Sequence, residues 1–196
     1  MPKSIISQNE AIFRVIEVLN EYTRLPDSVE NPVNVRPVRY IYESTNSDFI
    51  TMFKTNVKSL DGCIGYHLSL EGKKLIITCL VIDKQDQIKG NLTKERGGKM
   101  PENIIPRMPN YIFCWVEELN KYSHPPNEAE NTVKVLPDPH TYDDLTDPLQ
   151  VGLHAKGNSI VGYHLSLAGN QLTITYLVIA NKQMLQPLKR LKKPPR

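Results

Sequence analysis

Two His-x-Ser pairs are the residues best suited to chemistry in this chain: His67 with Ser69, and His164 with Ser166. In a β-strand, side chains two positions apart point to the same side, so each pair presents an imidazole and a hydroxyl together. Two imidazoles that face one phosphate can act as general base and general acid, while hydroxyls hold its oxygens. The pairs therefore predict a phosphate-directed site if the fold brings them into one cleft.

Each pair lies in a longer sequence that occurs twice. Gly-Tyr-His-Leu-Ser-Leu occupies residues 65–70 and again 162–167, and each copy is followed by a Gly turn and Leu-x-Ile-Thr-x-Leu-Val-Ile. Thirteen of the twenty residues at 64–83 equal their counterparts at 161–180, so the repeat does not single out His and Ser. A structural interpretation therefore stays open, in which each imidazole is half-buried and hydrogen-bonded to a threonine on the neighbouring strand.

The motif His-Leu-Ser-Leu, at 67–70 and again at 164–167, resembles the motifs of the 2H phosphoesterase superfamily. Members of that superfamily carry two His-apolar-Ser/Thr-apolar motifs on strands of two pseudo-symmetric lobes. The resemblance covers eight residues and the internal duplication. It implies a phosphoesterase that acts on RNA ends or cyclic phosphodiesters. The catalytic residues that it implies are His67, Ser69, His164 and Ser166.

An amphipathic helix precedes each copy of the repeat. Ser7 followed by Glu10 is a capping box, in which each side chain satisfies a free backbone N–H at the helix start. The helix of the second copy has Asn110 as its expected cap, and a further helix in the first copy is expected to be capped by Ser47 or Asp48. The apolar faces comprise Ile12, Val15, Ile16, Leu19 and Tyr22 in the first copy, and Ile112, Trp115, Val116, Leu119 and Tyr122 in the second.

Both copies are expected to end in a β-hairpin. The sequences Gly-Lys in the first copy and Gly-Asn in the second fit a two-residue type II′ turn with glycine first. Such a turn places His67 opposite Thr78 and His164 opposite Thr175. The expected core face of the first hairpin comprises Tyr66, Leu68, Leu70, Leu75, Ile77 and Cys79, and Leu80 lies on the opposite face.

These elements predict an α+β fold, a tandem duplication of a helix-plus-antiparallel-hairpin unit that forms two pseudo-symmetric lobes. The two hairpins can join edge to edge into one sheet, which the helices cover. The expected organisation is a first repeat lobe at 1–83, a linker at 84–108, a second repeat lobe at 109–181 and a basic disordered tail at 182–196.

The two copies diverge just before the hairpins, at 44–60 in the first and at 141–158 in the second. The second copy has an acidic loop there, with Asp143, Asp144 and Asp147, whose spacing does not match an EF-hand loop, so no metal site is predicted. Loops tolerate change and carry contacts. We therefore expect a non-catalytic protein-binding or adaptor protein, with an effector or an inhibitor as variants. The phosphoesterase is the alternative.

The formal net charge of +3 arises at the end of the chain. Residues 182–196 hold six basic residues and no acidic one, so residues 1–181 carry −3. This basic segment predicts contact with nucleic acid or an anionic membrane, or else serves as a solubilising terminus. Its candidate contact residues are Lys189, Arg190, Lys192 and Lys193. No phosphate-binding loop and no dinucleotide motif occurs in the sequence, so no cofactor is expected.

The cysteines and the N-terminal sequence bear on the compartment. Three cysteines cannot all pair within the chain, which favours free thiols in a reducing compartment. No apolar run approaches the roughly 18 residues of a membrane span, and no signal-peptide core follows the first residues. The cytoplasm is the expected location, although a leaderless secreted effector would have the same features.

Overall fold

The computed structural model describes residues 5–25, 32–83, 108–127 and 132–180. The expected linker lies outside these residues except for Met108, and the expected basic tail lies wholly outside them. The helices are α1 (Gln8–Tyr22), α2 (Asp48–Lys58), α3 (Met108–Tyr122) and α4 (Val151–Ala155), the last preceded by a 3-10 turn at Pro148–Gln150. The strands are β1 (Val33–Glu43), β2 (Cys63–Glu71), β3 (Lys74–Ile82), β4 (Val133–Tyr142), β5 (Ile160–Ala168) and β6 (Gln171–Ile179).

The starts of α1 and α2 use different caps. The Ser7 hydroxyl accepts a hydrogen bond from the backbone N–H of Glu10, as predicted for α1. At α2, the side-chain oxygen of Asn46 accepts a hydrogen bond from the backbone N–H of Asp48. The side chain of Ser47 makes no capping hydrogen bond. The prediction that Ser47 or Asp48 caps α2 is therefore wrong, because the preceding asparagine satisfies this N–H.

The start of α3 also differs from the prediction. The helix begins at Met108, so Asn110 lies in its first turn and not at its cap. Pro109 is tolerated there because an N–H at this position would have no partner within the helix. The side-chain oxygen of Asn110 instead accepts a hydrogen bond of 2.8 Å from the amide of Asn9. This contact joins the starts of α1 and α3.

Both hairpins have the predicted register. His67 pairs with Thr78, and His164 pairs with Thr175. Gly72 has a φ of 61° and Gly169 a φ of 60°, and no described residue other than glycine has a positive φ. This combination is the one that a type II′ turn requires, and it excludes type I′, which needs a second left-handed residue.

The six strands close into one antiparallel barrel in the order β1-β3-β2-β5-β6-β4. The strands of the two sequence repeats meet along two seams. At the β2–β5 seam a single residue pair, Tyr66 with Tyr163, links the strands. At the β1–β4 seam three consecutive pairs form, from Val33 with Val135 to Val35 with Val133. The α+β class is confirmed, with four helices and six antiparallel strands among the described residues, and the hairpins join edge to edge as expected.

Two hydrophobic cores lie on the two sides of this sheet. The larger core packs α1, α2 and α3 against the outer face of the barrel and includes Tyr66, Leu68 and Ile77, as predicted. The second core lies inside the barrel and consists of Val35, Ile64, Leu80, Ile82, Val135, Val161 and Leu177. The sequence assigned Leu80 to the face away from the core, but barrel closure buries that face as well.

Among the described residues, no helix is long and apolar enough to cross a membrane.

Candidate functional site

His67 and His164 lie at the β2–β5 seam, beside the tyrosines that pair across it. The ring of His67 lies 5.9 Å from the ring of Tyr163, and the ring of His164 lies 6.0 Å from that of Tyr66, measured between centroids. Only 6% of the surface of His67 and 2% of the surface of His164 is exposed. Each histidine therefore packs against the tyrosine from the other sequence repeat, almost out of contact with solvent.

The ring nitrogens of both histidines are poorly satisfied. His67 hydrogen-bonds to the backbone of Ser123, but its Nε2 has no partner among the described residues. Neither Nδ1 nor Nε2 of His164 has one. The expected hydrogen bond between His164 and Thr175 is therefore absent, although the two residues are paired in the ladder. Buried polar atoms without partners are rare enough to require an explanation.

Burial also determines the protonation of both histidines. Desolvation lowers the pKa of His67 to about 4; the hydrogen bond to Ser123 opposes this change, and the nearby His124 adds to it. Desolvation lowers the pKa of His164 to about 4 as well. Both rings are therefore neutral near pH 7. Acid–base catalysis needs a pKa near the working pH and contact with substrate, and in this conformation neither imidazole faces an open cleft.

The two serines lie nearer the surface than the histidines. Ser69 is half-buried and lines a groove of about 590 Å³ between α1, α3 and β2. His67 is not among the residues that line this groove. Ser166 is half-buried opposite Thr173 on β6. His67 and Ser69 therefore do not line one cavity together.

A side-chain clamp reinforces the β2–β5 seam on one side. The Tyr66 hydroxyl donates to Oδ1 of Asn20 at 3.1 Å and accepts a hydrogen bond from the backbone N–H of Leu165 at 3.1 Å. The Asn20 amide donates to the backbone carbonyl of Leu165 at 2.7 Å. An asparagine and a tyrosine from the first sequence repeat thus hold the backbone of a strand from the second.

The same arrangement occurs in the other direction. The Tyr163 hydroxyl donates to Oδ1 of Asn120 at 3.0 Å and accepts from the backbone N–H of Leu68 at 3.2 Å, while the Asn120 amide donates to the Leu68 carbonyl at 2.6 Å. We call these two sets of hydrogen bonds the Asn–Tyr clamps. Sequence reasoning gave Asn20 and Asn120 no role. The available signal was that both asparagines occupy matching positions on the two amphipathic helices.

Carboxylates border the groove that contains Ser69. Glu117 and Glu118 of α3 line it together with apolar side chains, and Pro148 forms part of its edge. Glu118 is only 6% exposed and forms an ion pair with Lys121 at 2.5 Å. Lys121 lines the groove as well, so Glu118 is neutralised there, and the groove extends from α3 to the 3-10 turn that begins at Pro148.

The acidic loop lies next to the same turn. The Asp143 carboxylate accepts a hydrogen bond from the Gln171 amide at 2.7 Å, and Asp144 accepts two from Thr146. The side-chain and backbone hydrogen bonds from Thr146 lower the pKa of Asp144, so it is ionised at neutral pH. Asp147 directly precedes the turn. All three carboxylates belong to exposed residues.

Two leucines are exposed on the helical run from this turn through α4. Leu149 is 67% exposed and Leu153 is 80% exposed. Residues four apart lie on the same face of a helix, so the two side chains form one apolar surface. We call Leu149 and Leu153, with Asp143, Asp144 and Asp147, the leucine–acid surface.

Two further histidines stack near this surface. His140 of β4 and His154 of α4 have ring centroids 3.9 Å apart, and Nε2 of His140 lies 3.1 Å from a carboxylate oxygen of Asp138. A metal ion binds in the plane of each imidazole that ligates it, so two stacked rings cannot share one ion. The described residues contain no group of three His, Cys, Asp or Glu side chains arranged to hold a metal. The pair therefore packs α4 against β4.

The cysteines differ in exposure. Cys63 and Cys79 are buried free thiols, whereas Cys114 is exposed and lines the groove. Titration of the native protein with an aromatic disulfide reagent should therefore modify one thiol rapidly, and titration in denaturant should modify three. Rapid modification of more than one thiol in the native protein would contradict the burial of Cys63 and Cys79.

The predicted basic contacts, Lys189, Arg190, Lys192 and Lys193, lie outside the described residues. Comparisons with protein-family models, with curated proteins and with solved structures found no match to this chain. What the molecule does must therefore be argued from its own surfaces.

Proposed function

We propose that this chain is a non-catalytic protein-binding module and that the leucine–acid surface holds its partner. One observation carries this proposal: Leu149 of the 3-10 turn and Leu153 of α4, four residues apart, are 67% and 80% exposed. Apolar side chains that are grouped in this way and bordered by charge are typical of protein-interaction sites. An adaptor, an effector and an inhibitor would all use such a surface.

The charge around the surface indicates the chemistry of the partner. Asp143, Asp144 and Asp147 precede the 3-10 turn in the sequence, and the groove that Glu117 and Glu118 line includes Pro148, the first residue of this turn. A partner segment that combines leucine-like side chains with lysine or arginine complements this arrangement. Nucleic acid does not complement this surface, because acidic side chains repel its phosphates. Nucleic-acid contact through the basic tail stays a prediction.

We also infer that the lobes at 1–83 and 109–181 arose by tandem duplication and are related by pseudo-twofold symmetry. The reciprocal Asn–Tyr clamps and the matching hairpin registers support this inference. The lobes differ most where α2, a helix of eleven residues, is replaced by the acidic loop and the five-residue α4. The proposed binding surface lies in this difference. The three free thiols support a reducing compartment, for which we propose the cytoplasm.

Replacing Leu149 and Leu153 together by aspartate is expected to lower partner binding at least tenfold, because the charges cannot be buried against an apolar partner surface. The wild-type chain and the variant would be compared by cross-linking and affinity capture from the native cells. Met52→Asp is the matched control, since Met52 is 61% exposed on α2 of the other lobe. Recovery of the same partners by both variants would refute the proposed surface.

A catalytic test covers the alternative function. Turnover of a 2′,3′-cyclic nucleotide by the wild-type chain, together with its loss in His67→Ala, would contradict a non-catalytic module. We expect no turnover, because the burial of both imidazoles keeps them away from a substrate in solvent. No observation of the described residues favours the phosphoesterase.

A further inference from the structure

We propose that His67 and His164 make the β2–β5 seam a pH-responsive junction, which opens when both imidazoles take up a proton while the β1–β4 seam stays closed. The two histidines flank the only residue pair of this seam, Tyr66 with Tyr163, and each packs against the tyrosine of the opposite strand. Their environment is therefore lost when the strands separate. No histidine takes part in the three pairs of the β1–β4 seam.

The surroundings of His67 do not accommodate a positive charge. Within the ladder of its own hairpin, His67 pairs with Thr78 of β3, and Thr78 pairs in turn with Arg39 of β1. From the segment after α3, the Ser123 backbone accepts its one hydrogen bond, and His124 lies close enough to disfavour a second charge. From β5 it meets the ring of Tyr163. The titratable groups recorded beside it are thus the His124 imidazole and the Tyr163 phenol.

The surroundings of His164 are less polar still. Within the ladder of its own hairpin, His164 pairs with Thr175 of β6, and Thr175 pairs in turn with Pro139 of β4. From β2 it meets the ring of Tyr66, whose hydroxyl is already engaged by Asn20 and the backbone of Leu165. In the part of the chain that the structure describes, neither ring nitrogen has a hydrogen-bond partner, so a protonated ring would place two unpaired donors in a buried site.

Few backbone hydrogen bonds hold the β2–β5 seam closed. With one residue pair between β2 and β5, the connection depends on the Asn–Tyr clamps, which bond the backbone of Leu68 and Leu165. Opening therefore breaks side-chain hydrogen bonds and frees both imidazoles, while the hairpins keep their internal ladders. This locality distinguishes the junction from general acid unfolding.

The direction of the pH effect follows from proton linkage. An exposed histidine has an ordinary pKa of 6.5, and burial lowers the pKa of both rings to about 4, so the open form binds protons between these values. The closed seam is fully stable above pH 6.5 and loses stability as the pH falls toward 4. Between pH 7 and 5 the opening equilibrium should rise about 20-fold for one histidine and about 500-fold for both.

Amide hydrogen exchange measured by NMR on the full chain tests this proposal. Protection of the Leu68 and Leu165 amides, corrected for intrinsic exchange rates, should fall by about 500-fold between pH 7 and 5. Protection of Val35 at the β1–β4 seam should change by less than about threefold. The double variant His67→Phe/His164→Phe should remove the pH dependence, since phenylalanine fills a similar volume and does not titrate.

Three further variants keep the outcome decisive. Each single variant, His67→Phe or His164→Phe, should retain about 20-fold dependence, which covers the case in which the double variant fails to fold. The control His140→Gln/His154→Gln removes the stacked histidines near α4 and should behave as wild type at Leu68 and Leu165. An equal loss of protection at Val35, or no loss at Leu68 and Leu165, would overturn the proposal.

Discussion

A chain in which Tyr66 and Tyr163 are both replaced by phenylalanine is expected to lose about 6 kcal/mol of unfolding free energy, a large share of the roughly 5–15 kcal/mol of a typical domain. Each hydroxyl donates to an asparagine and accepts from a leucine N–H. Without the hydroxyl, the asparagine side-chain oxygen and the leucine N–H stay unpaired in the seam. Each unpaired group costs about 1–3 kcal/mol of unfolding free energy. Burial raises the pKa of both hydroxyls, so they keep their protons near neutral pH.

Urea unfolding at pH 7 would measure this effect, beginning with the single variants, each expected to lose about 3 kcal/mol. The matched control is Tyr40→Phe, whose hydroxyl takes no part in the clamps, with an expected change within about 0.5 kcal/mol. Adding Asn20→Leu to Tyr66→Phe should cost less than the sum of the two single changes, because both remove the same hydrogen bond. Single losses below about 1 kcal/mol would show that the clamps do not hold the seam.

The hairpins show how far local sequence determines this fold. A glycine at the first turn position is enough to fix the register. Once a two-residue type II′ turn forms, each residue of one flanking strand has a single possible partner on the other strand. The pairs of His67 with Thr78 and of His164 with Thr175 follow from that turn alone. The side-chain period of two also identifies the face that packs on the helices.

The same reasoning cannot predict what covers the other face. Leu80 and His67 share that face in sequence terms, and both are buried: Leu80 packs inside the barrel, and His67 packs against Tyr163 of β5 and the backbone of Ser123. Contacts between residues far apart in sequence produce no periodic pattern of apolar residues in the local sequence. The depth of burial of the histidines, and hence their neutrality, depends on such contacts. The hydrogen bonds of Asn20 and Tyr66 to the backbone of Leu165 across the seam are of the same kind.

The candidate surface was only partly visible in sequence. The divergence of the two copies directed attention to residues 141–158, and the acidic loop could be read from composition. The exposure of Leu149 and Leu153 could not be predicted from the sequence, because two leucines four residues apart are equally compatible with a buried and with an exposed helix face. Their orientation depends on how α4 packs through Val151 and Ala155, which are buried.

Gly162→Ala is expected to lower the free energy of unfolding by about 3 kcal/mol, the upper end of the usual cost of overpacking. A Cβ at Gly162 would lie 2.6 Å from a methyl carbon of Leu80 inside the barrel and 3.0 Å from the backbone carbonyl oxygen of Tyr66. The methyl group can move, but the Tyr66 carbonyl belongs to the single residue pair of the seam. Relief of the contact therefore requires the strands to separate.

Thermal and urea unfolding of three glycine variants would test this reasoning. Gly65→Ala should cost about as much as Gly162→Ala, since its Cβ would lie 2.5 Å from a methyl carbon of Leu177 and 3.1 Å from the Tyr163 carbonyl oxygen. Gly152→Ala is the control: its Cβ meets only the end of the Tyr122 side chain, so a change within about 1 kcal/mol is expected. A similar small change at Gly162 would mean that the seam tolerates a wider spacing. The close approach of β2 and β5 would then not be what buries His67 and His164.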